Sequence, residues 1–166
     1  MSAPDPAGTG SDRVPPILVA GLGNPLAGDD AIGCHIAHRL AREPDRIPGT
    51  EVIEATDLLR FADRLRDRDR VFLIDALLDD GPCGRVLAFE NLDALDDRAG
   101  SVHHLSPAHA LRLLRSVYPE LRTVPVTFLC VTIHDVRIRP GLSPDLDAAM
   151  DRITAKVRAR IAAEPH

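Results

Sequence analysis

Ile17-Leu18-Val19-Ala20-Gly21-Leu22-Gly23-Asn24-Pro25-Leu26-Ala27-Gly28-Asp29-Asp30 runs from an apolar strand into a glycine-punctuated turn that ends in two carboxylates. Beyond it, to about Arg42, the chain reads as an amphipathic helix. Ile32, Ile36, Ala37 and Leu40 fall on one face, and His35, His38, Arg39 and Arg42 on the other. Strand, tight loop and helix start are the usual seat of chemistry in a parallel α/β sheet. A phosphate-binding loop would fill this position with backbone N–H groups and a lysine. Asp29 and Asp30 instead repel phosphate and attract a cation, so the loop reads as a metal or proton site. Either aspartate also suits the N-cap of the helix.

The alternation continues outward from this stretch. Glu51 to Ala55 reads as a short second strand, and Asp57 caps a helix carrying Leu58, Phe61, Ala62 and Leu65. Val71-Phe72-Leu73-Ile74 is a continuous apolar run, the mark of a strand buried on both faces, and is read as ending at Asp75. Gly81-Pro82-Cys83-Gly84 makes a turn into a strand from Arg85 to Phe89. That short connection predicts a strand antiparallel to its predecessor, because a parallel crossover needs more residues. An irregular acidic loop follows. Ser106-Pro107 then opens a helix with Leu111, Leu114 and Val117 inward, Val124 to Ile133 forms the last strand, and Ser143-Pro144 opens the last helix. Leu146, Met150, Ile153, Val157 and Ile161 make that helix's apolar stripe.

The order β-α-β-α-β-β-α-β-α predicts one three-layer α/β/α domain over residues 14–163. Its sheet is five-stranded, twisted and mostly parallel, with one antiparallel strand and helices on both faces. Residues 1–13, rich in Ala, Pro, Gly, Ser and Asp, read as a disordered leader. They lack the basic start and apolar centre of a secretory signal.

Bulk properties narrow the function. The 166 residues carry a net charge of −5 with 45% hydrophobic content, ordinary for a globular domain and giving no electrostatic pull toward nucleic acid or an anionic membrane. Aromatic residues make up only 3%, which argues against stacking on single-stranded nucleic acid. Cys34, Cys83 and Cys130 are widely spaced and form no C-x-x-C pair, fitting a reducing cytoplasm and not a structural zinc site. A cytoplasmic monomer is the expectation.

Asp30 follows the first strand and Asp75 the third, so parallel strands would bring both carboxylates to the carboxyl edge of the sheet. His103, in the long loop after the fourth strand, has room to return to that edge. Two carboxylates and an imidazole suit nickel, zinc, manganese or iron with open coordination positions. Each residue also has a plainer role. Asp30 can cap its helix, Asp75 can bond a loop, and His103 has a neighbouring rival in His104. His134-Asp135 is a second candidate pair, and His35, His38 and His109 are assigned to solvent. Cys83 with His103 is a thiol alternative, but nothing nearby in sequence would activate the thiol. Gly21-Leu22-Gly23-Asn24-Pro25 also resembles the opening of peptidyl-tRNA hydrolases, a likeness that ends at Gly28-Asp29-Asp30.

Four segments in order resemble the hydrogenase maturation endopeptidases, which remove a short C-terminal extension from the large subunit of nickel–iron hydrogenases. They are Gly21 to Asn24 with Gly28 to Gly33; Leu73 to Ala76 with Gly81 to Gly84; Ser101-Val102-His103-His104-Leu105; and Gly141-Leu142-Ser143-Pro144. The resemblance implies a metal-contacting catalytic triad of Asp30, Asp75 and His103, with Gly21, Gly23, Asn24 and Asp29 as the supporting loop. It implies that nickel arrives with the precursor of the large subunit, the expected partner, and is not held tightly by this chain. Asp30 is a ligand one methylene shorter than the glutamate also found in the family. Ala31 stands where a glycine is expected, and His104 leaves the histidine position open by one residue. The alternatives are a non-catalytic nickel-checking or scaffold protein of the same fold, and a metal-dependent hydrolase of small molecules.

Overall fold

Five strands form one sheet in the order β2-β1-β3-β5-β4 in a computed structural model, which describes residues 14–43, 46–98 and 106–163. The strands are β1 (Ile17–Leu22), β2 (Thr50–Ala55), β3 (Arg70–Leu78), β4 (Val86–Phe89) and β5 (Val126–Ile133). β1, β2, β3 and β5 run parallel, and β4 is antiparallel at the edge. The architecture is the one expected from the sequence. Residues 1–13, with the leader assigned to them, lie outside the described residues.

The apolar strands alternate between two layers. Val19, Phe72, Ile74 and Val131 bury against α1 (Ile32–Arg42) and α4 (Pro144–Ala163). Leu18, Ala20, Leu73 and Phe128 bury on the opposite face, against α3 (Pro107–Val117), a 3-10 segment at Leu58–Leu65 and Leu95 of α2 (Leu92–Arg98). A strand clothed on both sides has no polar face, which is why Val71 to Ile74 reads as unbroken hydrophobe. The α1 and α4 stripes are buried as expected, and His35, His38, Arg39 and Arg42 are exposed.

Several local readings need correction. Neither Asp29 nor Asp30 caps α1: residues Gly28–Ala31 form a 3-10 turn, the N-cap is Ala31, and it makes no side-chain cap. The segment after Asp57 is 3-10, broken at Phe61 (φ −121°, ψ 26°), although Asp57 does accept from the N–H groups of Leu59 and Arg60. The acidic loop before residue 99 contains α2. Val117 points outward at 59% exposure. β4 opposes β3 in direction but does not pair with it, because β5 inserts between them. Finally, β3 does not end at Asp75. Its pairing with β1 stops at Gly21↔Ile74, whereas its pairing with β5 continues to Leu78↔Ile133.

A candidate active site at the carboxyl edge of the sheet

The chain leaves β1 toward β2 on one side, and later returns to build β3 on the other, so the carboxyl ends of β1 and β3 flank the topological switch point. Asp75 is the first β3 residue beyond β1's reach. By strand alternation it stands on the face of Leu73, Leu77 and its cross-strand partner Cys130, the face that α3 covers. Burial pushes the Asp75 carboxyl up to about 7, and the negative charge of Asp30 adds to the rise. Asp30 and Asp75 are therefore within electrostatic reach of one another.

The loop that delivers Asp30 is held by its own polar atoms. The Asn24 backbone N–H donates to Asp30 Oδ2 at 2.9 Å, and Asn24 Oδ1 accepts from Leu26 N–H at 3.0 Å. Close backbone approach sets the rest. A Cβ on Gly21 would lie 2.1 Å from the Gly33 carbonyl oxygen, and one on Gly33 would lie 2.3 Å from the carbonyl oxygens of both Leu22 and Ile74. The first turn of α1 thus sits directly on β1 and β3, where only glycine fits. Beneath it, Cys34 Sγ faces the carbonyl oxygens of Gly21 (3.4 Å), Gly23 (3.6 Å) and Ala55 (3.6 Å). Burial, with the charges of Glu54, Asp75 and Asp30, pushes its thiol up to about 11, leaving it a protonated donor.

Asp29 turns away from its neighbour and is 3% exposed. Its Oδ1 accepts the Ser143 backbone N–H at 2.6 Å, and its Oδ2 pairs with Arg139 at 2.6 Å. Burial alone would raise its pKa. The hydrogen bonds from Ser143 and Arg139 outweigh that and hold it below the usual carboxylate range. The first and fourth signature segments, far apart in sequence, meet through this one carboxylate. Arg139 is the residue that sequence reasoning missed, since nothing around it forms a motif.

Other candidates are committed elsewhere. His134 Nε2 lies 2.9 Å from the Gly81 carbonyl oxygen, and Asp135 pairs with Arg137 at 3.4 Å and Arg139 at 3.6 Å, so this pair ties down loops. The Cys83 thiol is raised by burial and by the charges of Asp29 and Asp145, the opposite of what a nucleophile needs. His109 is exposed, with Nδ1 2.8 Å from Ser106 Oγ. His103 and His104 lie outside the described residues. Among the described residues no group of three His, Cys, Asp or Glu side chains could hold a metal ion. Two concavities, of about 380 Å³ beside Val19 and Ile161 and about 470 Å³ beside Phe89 and Arg160, lie away from Asp30 and Asp75. Charge, not cavity volume, marks the site. No helix among the described residues is long and apolar enough to cross a membrane.

Several solved proteins of one class share this fold. HybD from Escherichia coli, a hydrogenase maturating endopeptidase, superposes with a TM-score of 0.68 and 27% identity, covering 87% of this chain and 91% of that one. An endopeptidase from Escherichia coli solved in solution gives 0.64 and 28%, over 86% and 90%. The [NiFe] hydrogenase maturation protease HybD from Thermococcus kodakarensis shares the fold at a TM-score of 0.71 and 24% identity, over 88% and 98%. In sequence the chain is 29% identical over 129 residues to Protein FrxA of Pyrococcus furiosus, covering 75% of this chain and 90% of that protein. No family model matches. The resemblance read from the four segments is borne out: the class is a hydrolase, a protease of the hydrogenase maturation kind.

Proposed function

We propose that this chain removes a short C-terminal extension from the nickel-loaded precursor of a nickel–iron hydrogenase large subunit, reading the nickel with Asp30, Asp75 and a histidine. The observation that carries the proposal is the convergence of Asp30 with Asp75 at the switch point, where Asp30's charge lifts the Asp75 carboxyl. Two carboxylates within electrostatic reach of each other repel unless a cation or a proton is shared between them. Oxygen donors of this kind suit a borderline divalent ion such as nickel, which the precursor supplies as part of the substrate.

His103 is the proposed third ligand, with His104 as its alternative. Both precede α3, whose first turn must lie toward the carboxyl edge because the helix returns the chain to the amino edge to start β5. That helix covers the face on which Asp75 stands. Asp30 is oriented by the Asn24 N–H, and Asp29 holds the loop without competing for the ion, since both of its oxygens are engaged. A precursor nickel seated here would supply a Lewis acid beside the scissile peptide, polarising its carbonyl or acidifying a water. Asp30 and Asp75 position that peptide and accept protons.

The test is the intact mass of a nickel-loaded precursor after co-expression with this protein. Loss of a C-terminal peptide is expected, abolished by Asp30→Ala and by one of His103→Ala or His104→Ala but not by Cys83→Ser. A stable complex without mass loss would make the protein a nickel-checking scaffold. Loss of cleavage in Cys83→Ser alone would replace the metal-centred account with a thiol mechanism.

A further inference from the structure

The 3-10 turn that carries Asp29 and Asp30 has no capping side chain of its own. Its orientation is set from outside, by the loop that follows β5. Ala27 and Arg139 form a parallel β-bridge. The Arg139 stem then lies across Gly28, where a Cβ would come 2.8 Å from its Cγ and Nε. From there the guanidinium reaches in two directions. Nη2 pairs with Asp29 at 2.6 Å and Nη1 with Asp135 at 3.6 Å.

Asp135 belongs to the frame that carries Asp75. It lies two residues past β5, whose Ile133 is the register partner of Leu78 in β3. The Asp79 N–H donates to the Ile133 carbonyl oxygen at 3.0 Å, and His134 Nε2 lies 2.9 Å from that of Gly81. Arg139 thus spans from the turn that bears Asp30 to the paired strand ends beyond Asp75.

A 3-10 turn has about three residues per turn, so successive side chains point about 120° apart. Holding Asp29 inward therefore fixes the direction in which Asp30 faces. Without Arg139, the Asp29 carboxylate, 4% exposed, would be buried without its counter-ion. Rotating the turn toward water relieves that cost and carries Asp30 round with it.

We infer that Arg139 is a positioning residue for cleavage: clamped between Asp29 and Asp135, it fixes the direction of Asp30 relative to Asp75. This rests on the maturation-protease reading given above and adds to it a residue from a loop outside the acid pair. Arginine suits the place better than lysine, because a planar fork pairs with two carboxylates at once and an ammonium is a point charge.

Steady-state cleavage of nickel-loaded large-subunit precursors, purified from cells lacking their own protease, tests this. Arg139→Ala is expected to lower kcat about a hundredfold, the scale of a misplaced reacting group. KM is expected to stay within about twofold of the parent, because Arg139 acts through Asp30 and not on the precursor. Arg139→Lys is expected to recover kcat to about a tenth of the parent value. Asp29→Asn is expected to act as Arg139→Ala does, and the two together to cost no more than either alone, since both break one pair. Val157→Ala, in the buried layer under α4, is the control: it lowers the urea midpoint and leaves kcat unchanged where it is folded. Should Arg139→Ala fold poorly, Arg139→Lys alone carries the test. An unchanged kcat at Arg139, or a fall that Val157→Ala matches, overturns the inference and leaves the protease reading intact. A raised KM at unchanged kcat would make Arg139 a contact of the precursor, and also overturns it. A parent that cleaves no precursor overturns both.

Discussion

Asp75 costs the fold stability at neutral pH. Its carboxyl, lifted to about 7 by burial and by Asp30, lies above the value of about 3.9 expected in an unfolded chain. Folding therefore favours the protonated form between those limits. The associated stability is full below about pH 4 and is lost as pH rises through about 7. Asp75→Asn keeps the shape and removes the charge. It is expected to be more stable than the parent by about 1–3 kcal/mol at pH 8, with the gap closing toward pH 4, and to lose cleavage. Urea unfolding at pH 4, 6 and 8 measures this, and a gap independent of pH would refute the assigned cause. An acid that destabilises its own fold is what a functional site looks like at this scale. In the sequence only its oddity was visible, a carboxylate closing an apolar run. That it lies within electrostatic reach of a second acid depends on the register between β1 and β3.

Elements are held at the site by close backbone contact more than by side chains. Gly33→Ala would place a Cβ 2.3 Å from the carbonyl oxygens of Leu22 and Ile74, atoms that cannot yield without lifting α1 from the sheet. A loss of about 3 kcal/mol or more is expected in urea unfolding, together with loss of cleavage, because Asp30 moves with the helix start. A variant as stable as the parent would show that the helix docks less tightly. Strong periodicity made α1 and α4 legible in the sequence. α2 was not: its seven residues include Asp93, Asp96 and Asp97, and among its described side chains only Leu95 is buried. Arg112 of α3 pairs with Asp93 at 2.6 Å and also with Asp96, so a neighbouring helix gives α2 the partners its own sequence lacks.

For the whole molecule, apolar side chains of the described residues pack on both faces of the sheet. Two buried layers close around the strands, and the candidate site sits at their rim. The melting temperature is accordingly expected to move by less than about 2 °C on adding a chelator or nickel at about 0.1 mM, since a weak site stabilises by RT ln(1 + [L]/Kd). Differential scanning fluorimetry measures it. A shift of more than about 5 °C at micromolar nickel would mean a resident tight site, contradicting nickel borne by the precursor.

From the sequence by itself came the layers, the five strands, the presence of one antiparallel strand, the faces of α1 and α4 and the position of the acidic loop, all of which follow from short-range periodicity and turn chemistry. Only the tertiary structure decided that β5 separates β3 from β4 and that β3 outruns β1. The same is true of Asp29, which became a clasp on Arg139 and Ser143 instead of a helix cap. Those outcomes depend on contacts between residues far apart in the chain, such as Val71 with Val126 and Asp29 with Ser143, whose energies no local pattern encodes.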